Sequence, residues 1–258
     1  MINQNIYAEK LMLKRQNESF DAGFCLYEFS MMTNYEEMVS VLHPKELNYY
    51  KTLKFQKRII SYLIGRLTAK KAIALLVGET NLTKILVQAG IFTQPITTYE
   101  NKQNIQVSIS HCDNFGAAIA FPEAHPMGID IEKINLEQNN VIERETTESE
   151  IKLIKEKPYS YEKMLTVLWT VKEALSKVLK TGLMTPFKIY EVDKIEVYHD
   201  YILCFYKNFA QYIAISFIIG DYICSITYPK KTELSINIHS IKENFKYLQQ
   251  NSLYGETS

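Results

Sequence analysis

Apolar residues recur at spacings of three and four across residues 44–77, PKELNYYKTLKFQKRIISYLIGRLTAKKAIALLV, and Gly78 supplies a stop. That period predicts a helix with one buried face. The pattern then shifts. IQVSISHCDNFGAAIAFP alternates or runs apolar on either side of Asp113-Asn114 and predicts two strands and a turn. MGIDIEKI is a further strand. Residues 141–157 are acidic and polar and predict an exposed helix. YEKMLTVLWTVKEALSKVLKTG is a stronger helix, ending at Gly182. The tail is strand-rich, in YEVDKIEVY, YILCFY, QYIAISF and DYICSITY, with Gly220-Asp221 turning the last two into a hairpin. The first forty and the last thirty residues specify no element.

An internal echo runs through these elements. AKKAIALLVG resembles KEALSKVLKTG, and VSISHCDNFGAAIAFP resembles IAISFIIGDYICSITYP, each at an offset of roughly 105 residues and in the same order. A shared offset suggests a duplicated unit. The chain then reads as an N-terminal half, 1–125, with the basic helix and the SISH hairpin. A C-terminal half, 126–258, holds the GIDIE strand, the WxxKEA helix and the strand-rich tail. The fold class expected is α+β: two similar halves related by a pseudo-twofold axis, each a helix packed on a small, mainly antiparallel sheet. A cleft at such a seam is a common place for a ligand.

Composition narrows the partners. Lys plus Arg and Asp plus Glu balance at 29 each, so no overall field favours nucleic acid or an anionic membrane, and any anion site must be local. The four cysteines are scattered without a CxxC pair, which predicts neither a zinc site nor a disulfide framework and fits reduced thiols in a cytoplasm. The N-terminal stretch has no apolar h-region, so no signal peptide is expected. YIAISFIIGDYICSITY is too short and too broken to span a bilayer.

Four clusters could carry chemistry. Asp130 and Glu132 lie two apart on a strand and so share a face, a pair of hard oxygen ligands suited to Mg²⁺ or Mn²⁺; the plain alternative is a polar strand face. Glu173 and Lys177 lie four apart on a helix and share a face, with Trp169 one turn earlier and Lys172 beside them; the plain alternative is a surface ion pair. Ser110 and His111 end a strand just before a turn, where a buried core histidine is the default reading and hydroxyl, imidazole and a backbone N–H would suit an anion. Adjacent residues cannot act as nucleophile and base, and no GxSxG elbow is present. Arg58 and Arg66, two helical turns apart with Lys54, Lys57 and Lys70 nearby, offer guanidinium forks for a phosphate or simply a solvated face. No P-loop and no GxGxxG occurs.

The order of these clusters, a basic helix, then SISH, then GIDIE, then WxxKEAxxKxxxxG, resembles the 4′-phosphopantetheinyl transferases of the large, surfactin-synthetase-activating (Sfp) type. The resemblance covers residues 44–187, with GIDIEK and WTVKEALSKVLKTGL its specific parts. It implies an enzyme that moves the phosphopantetheine arm of coenzyme A onto a serine of an acyl or peptidyl carrier protein and releases adenosine 3′,5′-bisphosphate. It also implies a monomer of two α+β halves with coenzyme A in the seam. By resemblance Asp130, Glu132 and Glu173 hold Mg²⁺ against the coenzyme A diphosphate. Glu173, or water polarised at the metal, takes the serine proton. Lys177 steadies or protonates the leaving phosphate. Lys172, Ser110 and His111 touch coenzyme A phosphates, and Arg58 and Arg66 grip the 3′-phosphate or adenosine end. The physical chemistry agrees: the attacked phosphodiester gathers negative charge, which cations offset, and the alcohol needs a base.

One position departs from that pattern. Where many such enzymes carry Gly-Lys-Pro upstream of SISH, this chain has FTQPI, with Gln94 before Pro95. Lys84 or Lys102 would have to replace the lost charge. A non-catalytic relative that binds coenzyme A or a carrier is the alternative this substitution supports. A different Mg²⁺-dependent enzyme acting on another nucleotide is a third.

Overall fold

Two five-stranded antiparallel sheets, each crossed by one long helix, carry the fold, which is α+β. The computed structural model describes residues 5–16, 18–29, 35–91, 94–100 and 104–246. The chain divides into two compact units: Met1–Pro126 with Glu233–Ile236, and Met127–Thr232 with Asn237–Ser258.

The first unit runs β1 (Ile6–Arg15), β2 (Glu18–Glu28), α1 (Tyr35–Ser40), α2 (Pro44–Tyr50), α3 (Gln56–Val77), β3 (Leu86–Ala89), β4 (Pro95–Thr98), β5 (Ile105–Cys112) and β6 (Phe115–Pro122). The second runs β7 (Gly128–Lys133), α4 (Asn139–Arg144), α5 (Glu148–Lys155), α6 (Tyr161–Leu179), β8 (Val192–Val197), β9 (Ile202–Tyr206), β10 (Tyr212–Ile219) and β11 (Tyr222–Pro229). The chain ends in β12 (Glu233–Ser235) and α7 (Ile238–Asn244). The sheet orders are β12-β1-β2-β6-β5 and β7-β11-β10-β9-β8, with β3-β4 a separate pair. Thus β12 edges the first unit's sheet, pairing Leu234 with Leu13.

Each unit buries its helix by the same means. α3 packs Leu63, Ile64, Ala69 and Ile73 onto Cys25, Val107 and Ala118 of its sheet. α6 packs Leu165, Leu168, Val171 and Leu175 onto Cys204, Ala214 and Ile223. A fully buried aliphatic side chain contributes about 1.5–3 kcal/mol. In each unit the helix backbone comes closest to the sheet at a glycine. A Cβ on Gly23 would run into the carbonyl oxygen of Ala72 in α3, and one on Gly128 into that of Ala174 in α6. Backbone cannot yield as a side-chain tip can. Gly128→Ala is therefore expected to cost about 1–3 kcal/mol through overpacking, read as a lower denaturant midpoint at unchanged slope.

A second duplicated device is buried beside each helix. Glu46 closes a capping box on His43 at the start of α2, accepts the Val87 N–H at 2.8 Å and pairs with Lys70 of α3 at 2.6 Å. Glu150 closes a capping box on Thr147 at the start of α5, accepts the Val192 N–H at 2.9 Å and pairs with Lys172 of α6 at 2.7 Å. All four side chains are essentially inaccessible to water. Burial lowers the pKa of both lysines, and the partnering carboxylate works against that shift. A buried charge survives when it is paired and hydrogen-bonded.

Several expectations are corrected by this arrangement. The helix read over 44–77 is two helices. A single one would hold Glu46 and Lys70 about 36 Å apart; the break after Tyr50 lets α2 fold back so that they meet. Residues 141–157 form parts of two short helices split by the Thr147 cap, and Glu150 and Ile154 are buried rather than exposed. α6 stops at Leu179, because Lys180 takes the left-handed conformation (φ 56°) and caps it before Gly182. β1 and β2, unspecified in the sequence, form a long hairpin in which Leu11 and Leu13 face in while Met12 stays exposed. The four tail strands, the 105–122 hairpin and the 128–133 strand stand where the patterns place them.

Candidate active site

The acidic strand lies beneath α6. Gly128, Asp130 and Glu132 alternate onto one face of β7, and Gly128 marks that face as the helix side. Ile129 and Ile131 fill the opposite side, both fully buried. Asp130 is 2% exposed, which explains why so apolar a run tolerates it only with a partner. That partner is Lys177, whose ammonium donates to Asp130 Oδ1 at 2.7 Å and to the Ile129 carbonyl at 2.9 Å. Glu173, one turn earlier on α6, is half-buried. Its carboxyl is held above the ordinary carboxylate range, first by burial and then by the negative charge of Asp130, while Lys177 and Ser176 pull it down. Trp169, a turn before that, stacks on Phe187 with centroids 4.9 Å apart. The predicted residues Asp130, Glu173 and Lys177 thus share one electrostatic cluster. Glu132 stands on the same strand face, half-buried and opposite Ile223.

The cluster fits a hard dication in its donor chemistry rather than its present spacing. It offers carboxylate oxygens only, and two of its acids repel each other, a strain that a bound Mg²⁺ or Mn²⁺ relieves. Among the described residues, no group of three or more His, Cys, Asp or Glu side chains is gathered to hold a metal ion as it stands.

The first unit has no such cluster at the corresponding positions. The matched pairs Gly23/Gly128 and Ala72/Ala174 align Cys25 with Asp130, Tyr27 with Glu132, Lys71 with Glu173 and Leu75 with Lys177. Cys25 is fully buried, its thiol pushed up to about 12 by burial. At these aligned positions the acids belong to the second unit alone.

Lys172 has other partners in this structure: its ammonium is buried against Glu150 at 2.7 Å and the Glu145 carbonyl at 3.0 Å. Its place in the helix points it away from the face that carries Glu173 and Lys177, toward α5.

The remaining predicted residues lie in the first unit. Arg58 and Arg66 of α3 and His111 of β5 line one cavity of about 550 Å³, together with Tyr49, Ser61 and Tyr62. Arg58 is exposed and bonds Tyr49. Arg66 lies 4.7 Å over the Tyr62 ring and 3.8 Å from Glu46. His111 Nε2 and Ser61 Oγ are 2.6 Å apart. Ser110 is 8% exposed, opposite Ala117. Sequence reasoning did not find Ser61, although its place three residues after Arg58 on a helix was legible. Lys54, Lys57 and Lys70 part company: Lys70 is the buried partner of Glu46, not a basic surface group.

Gln94 sits in the β3–β4 connection beside that cavity. Its side chain lies over Gly90, whose added Cβ would come 2.7 Å from Gln94 Cδ. Lys84 is half-exposed and pairs with Glu79 at 3.3 Å. Lys102 lies outside the described residues. Among the described residues, no helix is long and apolar enough to cross a membrane.

Residues 126–227 match the model of the 4′-phosphopantetheinyl transferase superfamily. That segment spans β7 to β11 and holds Asp130, Glu132, Glu173 and Lys177; the cavity of the first unit falls outside it. No curated protein matches the chain. Among solved structures, a holo-(acyl-carrier-protein) synthase from Bacillus anthracis, in complex with CoA (3′,5′-ADP), is 25% identical. The similarity covers 43% of this chain and 96% of that one, with a TM-score of 0.35. The holo-ACP synthase of Plasmodium yoelii is 17% identical over 45% of this chain and 95% of its own, with a TM-score of 0.34. That of Thermotoga maritima is 16% identical over 48% and 69%, with a TM-score of 0.33.

Proposed function

We propose that this chain transfers the 4′-phosphopantetheine arm of coenzyme A to a serine of an acyl or peptidyl carrier protein, releasing adenosine 3′,5′-bisphosphate, with Mg²⁺ as the metal. The observation that carries the reading is the Asp130–Lys177–Glu173 cluster under α6, inside the segment that matches the superfamily model. Asp130, Glu132 and Glu173 are the donors that would hold Mg²⁺. When bound, the ion offsets the negative charge that gathers on a phosphodiester under attack.

The protein side chains divide the remaining work. Glu173, its proton affinity raised by burial and by Asp130, accepts the proton of the incoming serine hydroxyl. Lys177, a quarter exposed at its side chain and anchored to Asp130, supplies the ammonium that steadies the leaving phosphate oxygen. Arg58, Arg66 and His111 supply the cationic and polar lining for a phosphate-bearing end of coenzyme A. Ser110 precedes His111 on β5, projects to the other face of the strand and is not among the residues lining that cavity.

The test is direct. Protein, Mg²⁺, coenzyme A and an apo carrier are expected to give a carrier heavier by one phosphopantetheine arm, read by intact mass. Thermal stabilisation by coenzyme A with no carrier modified, across fatty-acid, polyketide and peptide carriers, would instead favour a binding relative without transfer. Gln94 is the observation behind that second reading. Gln94→Lys should lower the KM for coenzyme A about tenfold by adding one charge-assisted contact; an unchanged KM separates position 94 from coenzyme A recognition.

A further inference from the structure

The cavity of the first unit contains a hydrogen bond that neither the motif nor the matched segment assigns. Ser61 Oγ and His111 Nε2 approach to 2.6 Å, although the residues come from α3 and from the end of β5. Both line the cavity shared with Arg58 and Arg66. On α3 the positions 58, 61, 62, 65 and 66 fall on one face, so Ser61 sits between the two arginines. His111 stands at the last pair but one of the β5–β6 hairpin, opposite Gly116, with the left-handed Asp113 in the turn beyond it. An exposed imidazole at a strand end samples several orientations. Tied to a helix through one ring nitrogen, it keeps a single one, and a ligand that uses the ring no longer has to order it.

We propose that Ser61 is a positioning residue: it holds the His111 ring against α3, and through that ring it sets the affinity for a phosphate-bearing ligand. The inference rests on the reading that this ligand is coenzyme A. Ser61 touches no reacting atom, so its effect belongs in binding rather than in turnover.

The experiment compares Ser61→Ala, Ser61→Thr, His111→Ala and the double variant Ser61→Ala/His111→Ala. Transfer kinetics are read together with calorimetric binding of coenzyme A and the ¹⁵N shifts of the His111 ring. Ser61→Ala is expected to raise KM and Kd about 3–10-fold, the cost of ordering one side chain, with kcat at saturation held. Its Nε2 resonance should move, and Ser61→Thr should restore both signals. In the His111→Ala background, Ser61→Ala should have no further effect, because its route to the ligand has gone. Full additivity of the two substitutions, or an unchanged Kd in Ser61→Ala, overturns the proposal. Failure of the unmodified protein to bind coenzyme A overturns the functional reading itself and the ligand named here. The ring-nitrogen shift reports the Ser61–His111 bond separately from that outcome.

Discussion

Glu173→Gln is expected to reduce carrier modification by about 10³-fold or more, and Asp130→Ala to do the same. The two acids are one electrostatic unit with Lys177, so their losses should not add; the double variant should be little worse than either alone. Glutamine keeps the shape of Glu173 and removes its capacity to take a proton, which separates the role of base from that of packing. Metal linkage gives a readout apart from activity. The Glu173 carboxyl is raised by burial and by Asp130, so above the ordinary carboxylate range the folded chain still holds a proton that the unfolded chain has released. Its contribution to stability is therefore present at low pH and falls as pH rises through that window. Bound Mg²⁺ should restore it, raising the melting temperature of the unmodified protein at neutral pH and leaving Glu173→Gln and Asp130→Asn unmoved. Undiminished turnover by Glu173→Gln would remove this residue from the mechanism.

Lys172→Ala is expected to act on stability, not on coenzyme A. Removing the ammonium leaves Glu150 charged and buried, a loss of about 3–5 kcal/mol. For a chain of this size that lowers the melting temperature by about 6–20 °C. Glu150 keeps its bonds from the Thr147 and Val192 N–H groups, which places the effect toward the lower end. Lys70→Ala should behave alike in the first unit, where Glu46 would be stranded. If Lys172→Ala melts like the unmodified protein but raises the KM for coenzyme A, its ammonium serves the phosphate after all and the buried pair is dispensable. Lys177→Ala is the contrasting case. Loss of the Lys177 ammonium strands the buried Asp130 beside Glu173, so the melting temperature should fall too, and turnover per folded molecule should fall severely as well.

These contrasts show how much the chain's own pattern conveyed. The helical period of 161–179 and the alternation through 105–122 and 192–229 reported their elements directly, because a buried face imposes its spacing on neighbouring residues. The shared offset between the two halves was equally readable, and the structure shows what it preserved: a glycine under each helix and a glutamate–lysine pair beside it. The pairing of those charges was not readable. Glu46 and Lys70, like Glu150 and Lys172, are distant in sequence. A lysine destined for the interior carries the same letter as one bound for water. β1 was missed for a related reason, since its inward residues Leu11 and Leu13 are outnumbered by polar ones that a sheet face leaves in solvent.

What the sequence alone determined is local: which residues share a strand or helix face, hence that Asp130 and Glu132 point together and that Glu173 and Lys177 do. Backbone periodicity settles such neighbours without reference to the rest of the chain. Only the tertiary structure decided which lysine meets which acid. Lys177 was drawn to Asp130 and Lys172 to Glu150, although they stand five residues apart on one helix. The helix turns them toward different neighbours, and burial leaves no charge without a counterpart.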